Sequence, residues 1–148
     1  MKIAIYTAIF GNKDVLRTPI GYTASNQIDY FLFTDNAKLT SEVYQIQFKT
    51  AIYDDVAKNA RYYKILGDSV LKTYDILIWH DANIQLVSNQ IQSLIDNASN
   101  TFLTTFTHPH RNCFYSEAMT CIRAKKDFSL RILKQAIIYF FMGMPAQN

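Results

Sequence analysis

Three stretches of this chain, each read as a strand, Ile3 to Ile9 with Phe10 directly after it, Tyr30 to Thr34 and Ile76 to Trp79, are apolar at nearly every consecutive position rather than at every second one. A strand with one wet face alternates between apolar and polar residues. A strand buried on both faces does not, and strands of that kind belong to parallel sheets covered by helices on each side. Each run also stops abruptly. Phe10 gives way to Gly11-Asn12-Lys13-Asp14, Thr34 to Asp35-Asn36, and Trp79 to His80-Asp81-Ala82-Asn83. If all three run parallel as central strands, their polar ends meet at one edge, and in open α/β sheets ligands gather at that carboxyl edge.

The rest of the chain fits that frame. Val43 to Phe48 and Phe102 to Phe106 are rich in β-branched or aromatic residues and read as two further strands. Apolar spacing and acidic starts predict helices at about Asp54 to Leu71, Gln90 to Asn97, Ser116 to Lys125 and Leu130 to Phe141. Strands separated by helices argue for a mostly parallel α/β sheet in one domain spanning residues 1 to 148. A chain of that length buries roughly two thirds of its surface without help from disulfides. Cys113 and Cys121 are its two cysteines and fit a reducing compartment. Lys2 leads directly into a strand-like run with no cleavage site of a signal peptide, which points to the cytoplasm.

Composition narrows the partners. Fifteen Lys and Arg against 12 Asp and Glu give a net charge of +3, and the bases are scattered, with no run that would follow a nucleic-acid backbone. Hydrophobic residues make up 49%, yet the longest apolar runs fall far short of a membrane span. A compact anionic ligand suits such a chain. The four glycines stand at positions 11, 21, 67 and 143, so neither the dinucleotide fingerprint nor the phosphate loop is possible. A bound phosphate would therefore rely on cations.

Two places supply them. On a helical wheel, Lys58, Arg61 and Lys64 share a stripe bordering the apolar stripe of Val56, Ala60, Tyr63 and Val70. A solvated basic face is the plain reading, but Ile65 falls inside the basic arc, which predicts that part of that face is covered. The second place is His108-Pro109-His110-Arg111-Asn112-Cys113-Phe114-Tyr115-Ser116-Glu117. Two imidazoles, a guanidinium, a thiol and an acid suit a metal site, an acid/base pair or a phosphate clamp. They also suit an ordinary loop in which Pro109 sets the turn and Glu117 opens a helix. For zinc, His108, His110, Cys113 and Cys121 lack the usual Cys-x-x-Cys knuckle.

Asp81-Ala82-Asn83 alone reads either as a turn or as a relative of the acid-x-acid element by which nucleotide-sugar glycosyltransferases hold a divalent cation against a diphosphate. The wider sequence favours the second. Lys2 to Asp14, Tyr30 to Asp35, Asn59 to Leu66, Trp79 to Gln85 and His108 to Cys113, in that order, resemble the glycosyltransferase-like domain family formerly catalogued as domain of unknown function 616. That resemblance implies a GT-A-like (Rossmann-like) α/β three-layer sandwich, a nucleotide-diphosphate sugar donor and a glycan acceptor in polysaccharide biosynthesis. It places the base near Thr7, Ala8 and Phe10, with Asp35 at the neighbouring strand end. It places the diphosphate near Arg61, Lys58 and Lys64, and a divalent cation, manganese or magnesium, on Asp81 and Asn83. His108 and Arg111 are expected to assist.

The sequence departs from the family pattern twice. Asn83 stands where a second acid would, which lowers the expected metal affinity or makes metal dispensable. The family also continues past Asn148, so the fold is expected to be truncated at its C-terminus. Sugar transfer is the leading expectation. A catalytically incomplete nucleotide-sugar binding or partner module, and a metal-assisted hydrolase built from Asp81, His108 and His110, are the alternatives.

Overall fold

The structure is a computed structural model that describes residues 1–98, 101–106 and 113–145. The chain divides into two compact units, Met1–Ser99 and Asn100–Asn148. The first contains strands β1 (Ile3–Ile9), β2 (Ile28–Thr34), β3 (Gln45–Phe48) and β4 (Ile76–Trp79), with helices α1 (Val56–Leu66) and α2 (Ile91–Ala98). The strands form a single sheet in the order β3-β2-β1-β4, and every pairing in it is parallel.

Alternation along the strands sorts side chains into two cores. Ile3, Ile5 and Ile9 of β1 join Tyr30 and Leu32 of β2 against Ile91 and Ile95 of α2. Ala4, Tyr6, Ala8 and Phe10 join Phe31 and Phe33 against Tyr63 of α1. Tyr63 stacks on both Phe10 and Phe33, at centroid distances of 5.5 and 4.8 Å with 11° between the ring planes in each case. All seven residues of β1 are buried, which is why this strand is apolar without alternation.

β4 departs from the expectation of a central strand. It pairs with β1 alone among the described residues, and its Leu77 is 48% exposed. The expected strand at Val43 to Phe48 begins two residues later, at Gln45, because the Ser41 hydroxyl accepts from the backbone N–H groups of Val43 and Tyr44 and holds them in a turn.

The expected helix from Asp54 to Leu71 is divided. Its start is fixed by the Asp55 carboxylate, which accepts from the N–H groups of Ala57 and Lys58. Its end is fixed by Gly67 at φ 66°, whose N–H donates to the Tyr63 carbonyl. Asp68 then caps a separate 3-10 turn, Ser69–Thr73, by accepting from the Val70 N–H. Asn59, almost wholly buried, ties the preceding loop to α1: its Oδ1 accepts from Ile52 and Tyr53, and its Nδ2 donates to the Tyr53 carbonyl.

The second unit holds α3 (Phe114–Arg123) and α4 (Ser129–Phe141), which meet through Phe114 and Tyr139 at 5.3 Å. An apolar groove of about 320 Å³ lies along this pair, lined by Met119, Leu133, Ile137 and Phe141 among others. Neither Cys113 nor Cys121 is joined in a disulfide, and the Cys121 thiol donates to Glu117 Oε1 at 3.4 Å. Phe102 to Phe106, expected as a strand, has no regular structure, and Phe102, Leu103 and Phe106 are exposed. Strand propensity measures fit to a pleated, half-covered surface, and this segment has no ladder partner among the described residues. No helix among the described residues is long and apolar enough to cross a membrane. The elements make up a mixed α/β, Rossmann-like arrangement.

Candidate functional site

The strand order puts β2 on one side of β1 and β4 on the other, all parallel, so Asp35 and Asp81 lie at the same sheet edge and flank the end of β1. The boundary between β1 and β4 is where the strand order reverses, the position at which α/β sheets open a crevice. That edge is stepped. β2 remains paired up to Ile9 whereas β4 stops at Tyr6, three residues earlier along β1. At about 3.3 Å per residue this is an offset of roughly 10 Å.

On the β2 side, both oxygens of Asp35 accept from the Gly11 N–H, at 3.0 and 3.2 Å. Gly11 has φ +59°, and a Cβ there would stand 2.5 Å from Val56 Cγ1, so the turn leaving β1 meets the first residue of α1 with no room for a side chain. Asn36 donates to Asn12 Oδ1 at 2.8 Å and accepts from the Lys38 N–H. Next to this lattice lies a groove of about 700 Å³, lined by Asn12, Asp14, Leu16, Thr18, Leu39 and Glu42 among others. Gln85 reaches across to the Thr18 carbonyl at 2.9 Å, and the bridge between Ile20 and Val87 ties the long loop after β1 to the segment after β4.

On the β4 side the contacts are made by side chains. Asp81 Oδ1 accepts from the Trp79 indole Nε1 at 2.9 Å and lies 3.4 Å from Lys64 Nζ. Lys64 Nζ sits 5.5 Å from the centre of the Trp79 ring, within range of a cation–π attraction. Tyr6 meets Trp79 edge to face at 5.2 Å and donates its hydroxyl to the Lys64 carbonyl at 3.3 Å. Strand alternation explains the grouping: Trp79 faces α1 with Tyr6, while His80 faces the opposite core.

His80 is 5% exposed. Its Nδ1 lies 3.1 Å from the Asp81 carbonyl, which can only accept, so Nδ1 carries the proton and Nε2 accepts from the Tyr44 hydroxyl at 3.2 Å. Burial lowers the His80 pKa and keeps the ring neutral, against the opposing pull of the Asp81 backbone. The next residues form a backbone turn, with Ile84 N–H donating to the Asp81 carbonyl at 2.8 Å. The turn reading of Asp81-Ala82-Asn83 is therefore correct for the backbone, while the Asp81 side chain is engaged elsewhere.

The other expected site residues fall into three groups. Thr7, Ala8 and Phe10 are buried, so their side chains belong to the sheet interior, and the Thr7 hydroxyl has no partner among the described residues. The side chains of Lys58 and Arg61 are exposed and have no hydrogen-bonding or ionic partner among the described residues; Ile65, expected to be covered, is 76% exposed. Asn83 is exposed beyond Ala82. His108, His110 and Arg111 lie outside the described residues. Trp79, Tyr6, His80 and Tyr44 were missed by sequence reasoning. The signal for Trp79 was present in its spacing of two from Asp81, which lets the indole at the end of β4 donate to the carboxylate just past it.

The divalent cation that the family resemblance implies meets an ill-suited donor set. One carboxylate can suffice for magnesium when substrate phosphates complete its shell. Here that carboxylate already has an ammonium beside it, and the second donor is the uncharged amide of Asn83. No three His, Cys, Asp or Glu residues are grouped as a metal site among the described residues.

No curated protein and no solved structure matches the chain. A family model does, over residues 1–148. With a parallel sheet, a stepped carboxyl edge and a basic helix beside it, the chain belongs to the TOD1/MUCI70 glycosyltransferase-like domain family.

Proposed function

We propose that the first unit binds a nucleoside-diphosphate sugar at the carboxyl edge of its sheet and transfers the sugar to a hydroxyl of a glycan acceptor. Family membership supports sugar transfer in general. The observation that carries the donor reading is the placement of Lys64, on the basic stripe of α1, at the β1/β4 switch point beside Asp81. In such a reaction an acceptor oxygen bonds to the anomeric carbon as the bond from that carbon to the phosphate oxygen breaks. Negative charge then grows on the departing diphosphate.

Cations aimed at that charge are the help the reaction needs most. Arg61 lies one turn before Lys64, and Lys58 one turn before Arg61, so all three project from one side of α1. The groove beside Asp35 and Asn12 has the polarity and volume for the nucleoside part.

Replacing Arg61 with Ala tests the phosphate contact. Calorimetry should show a loss of about ten- to a hundredfold in affinity for a nucleoside diphosphate, the worth of one charge-assisted hydrogen bond, and little change for the uncharged nucleoside. Equal losses for both would assign Arg61 to the fold. Release of nucleoside diphosphate from a donor sugar only when acceptor is present would identify transfer; release in water alone would identify hydrolysis.

A further inference from the structure

We infer that Lys64 is the resident cation of the donor site, neutralising charge beside Asp81 as a divalent metal would, so that a nucleoside diphosphate binds here without metal. The inference rests on the nucleotide-sugar reading above and specifies how the diphosphate is held.

Lys64 is fixed at both ends. Its backbone carbonyl accepts from Tyr6, and its ammonium lies beside Asp81 Oδ1 and near the Trp79 ring. The indole donates to the same Asp81 oxygen, which orients the carboxylate toward the ammonium. An ammonium carries three donors, and Asp81 takes one. The Lys64 side chain is 48% exposed, so the remaining donors are open to a ligand.

Charge balance points the same way. The three cations of α1, Lys58, Arg61 and Lys64, set against the two acids at the strand ends, Asp35 and Asp81, leave one positive charge to offset part of a diphosphate's charge. A divalent ion at Asp81 would sit next to the Lys64 ammonium and be repelled by it. Asn83 offers that ion no compensating charge.

The test is calorimetric titration of the full chain with UDP, GDP, ADP and CDP, in chelator and again with manganese. For whichever diphosphate binds, affinity should agree within about twofold between the two conditions, since no metal enters the complex. Lys64→Ala should weaken it about ten- to a hundredfold in both, through loss of a charge-assisted contact, while binding of the corresponding nucleoside is unchanged and shows the variant folded. Asp81→Asn should cost only about a few fold, because the ammonium remains. Binding that requires manganese and vanishes in Asp81→Asn would overturn the inference, making Asp81 a metal ligand and leaving the donor reading intact. An equal loss for nucleoside and diphosphate in Lys64→Ala would also overturn it. Absence of binding by every diphosphate in both conditions would remove the donor reading itself.

Discussion

Asp35 and Asp81 carry the same sequence signature, an acid just past an apolar parallel strand, and they stand on either side of β1. Their surroundings differ in kind. Asp35 is held by a backbone N–H of a glycine turn that has no room for a Cβ. Asp81 is held by an indole and a lysine tip, and its side chain is 58% exposed. A backbone donor cannot be withdrawn without refolding the turn, whereas a side-chain donor on a flexible stem can be shared with a ligand. The difference teaches that convergence of strand ends selects an edge, and that the partner's anchoring decides which acid on that edge is locked into the fold and which is left within reach of a ligand.

Four changes probe that contrast, in order of expected effect. Gly11→Ala should be the most damaging. Its positive φ costs roughly 1–2 kcal/mol for a residue with a Cβ, and the overlap with Val56 costs roughly another 1–3. Urea unfolding that shows less than about 1 kcal/mol would mean that the turn yields easily and that Asp35 is not rigidly held. Asp35→Ala should follow at about 1–2 kcal/mol, from a lost charged hydrogen bond in a partly solvated place.

Third is an effect of pH. The His80 pKa is lowered from an ordinary value of 6.5, so the unfolded chain takes up a proton at higher pH than the fold does. Stability is therefore retained above about pH 6.5 and falls as acid is added below it. His80→Gln should flatten that part of the profile; an unchanged slope would mean that the ring is solvated in the fold. The smallest change in stability should come from Asp81→Asn, within about 0.5 kcal/mol, because exposed ion pairs contribute little. A loss as large as that for Asp35→Ala would erase the contrast between the two acids.

Much of this was legible in the sequence. β1 and β4 are found at the limits expected from their consecutive apolar residues, since burial of both faces leaves no polar position to blur the ends of β1. The shared edge of Asp35 and Asp81 followed from parallel strands alone. What was hidden depends on long-range arrangement. Nothing local in Ile76 to Trp79 says that it lies at the margin of the sheet, because four apolar residues look alike whether one neighbour strand or two lie beside them. Gly67 was visible as a residue but not as the end of α1, because the apolar period resumes at Val70 inside the 3-10 turn. Ile65 was expected to be covered by the same wheel that put Lys64 on the basic stripe, and the wheel cannot tell which part of an arc meets the sheet edge. Lys64 joins Trp79 and Asp81 through the tertiary fold from 15 and 17 positions away, beyond the reach of any local pattern.

The stacked rings of Phe10, Tyr63 and Phe33 carry one more consequence. Tyr63 and Lys64 are adjacent in the chain, so the ring stack that fixes the roll of α1 also calibrates how far the ammonium reaches over the sheet edge. Interior aromatic residues thus act as a gauge for a surface charge they never touch. Thinning the stack, for instance by Phe33→Leu, would let the helix settle and shift the ammonium with it, so recognition of an anion at this edge would be tuned from within the hydrocarbon interior.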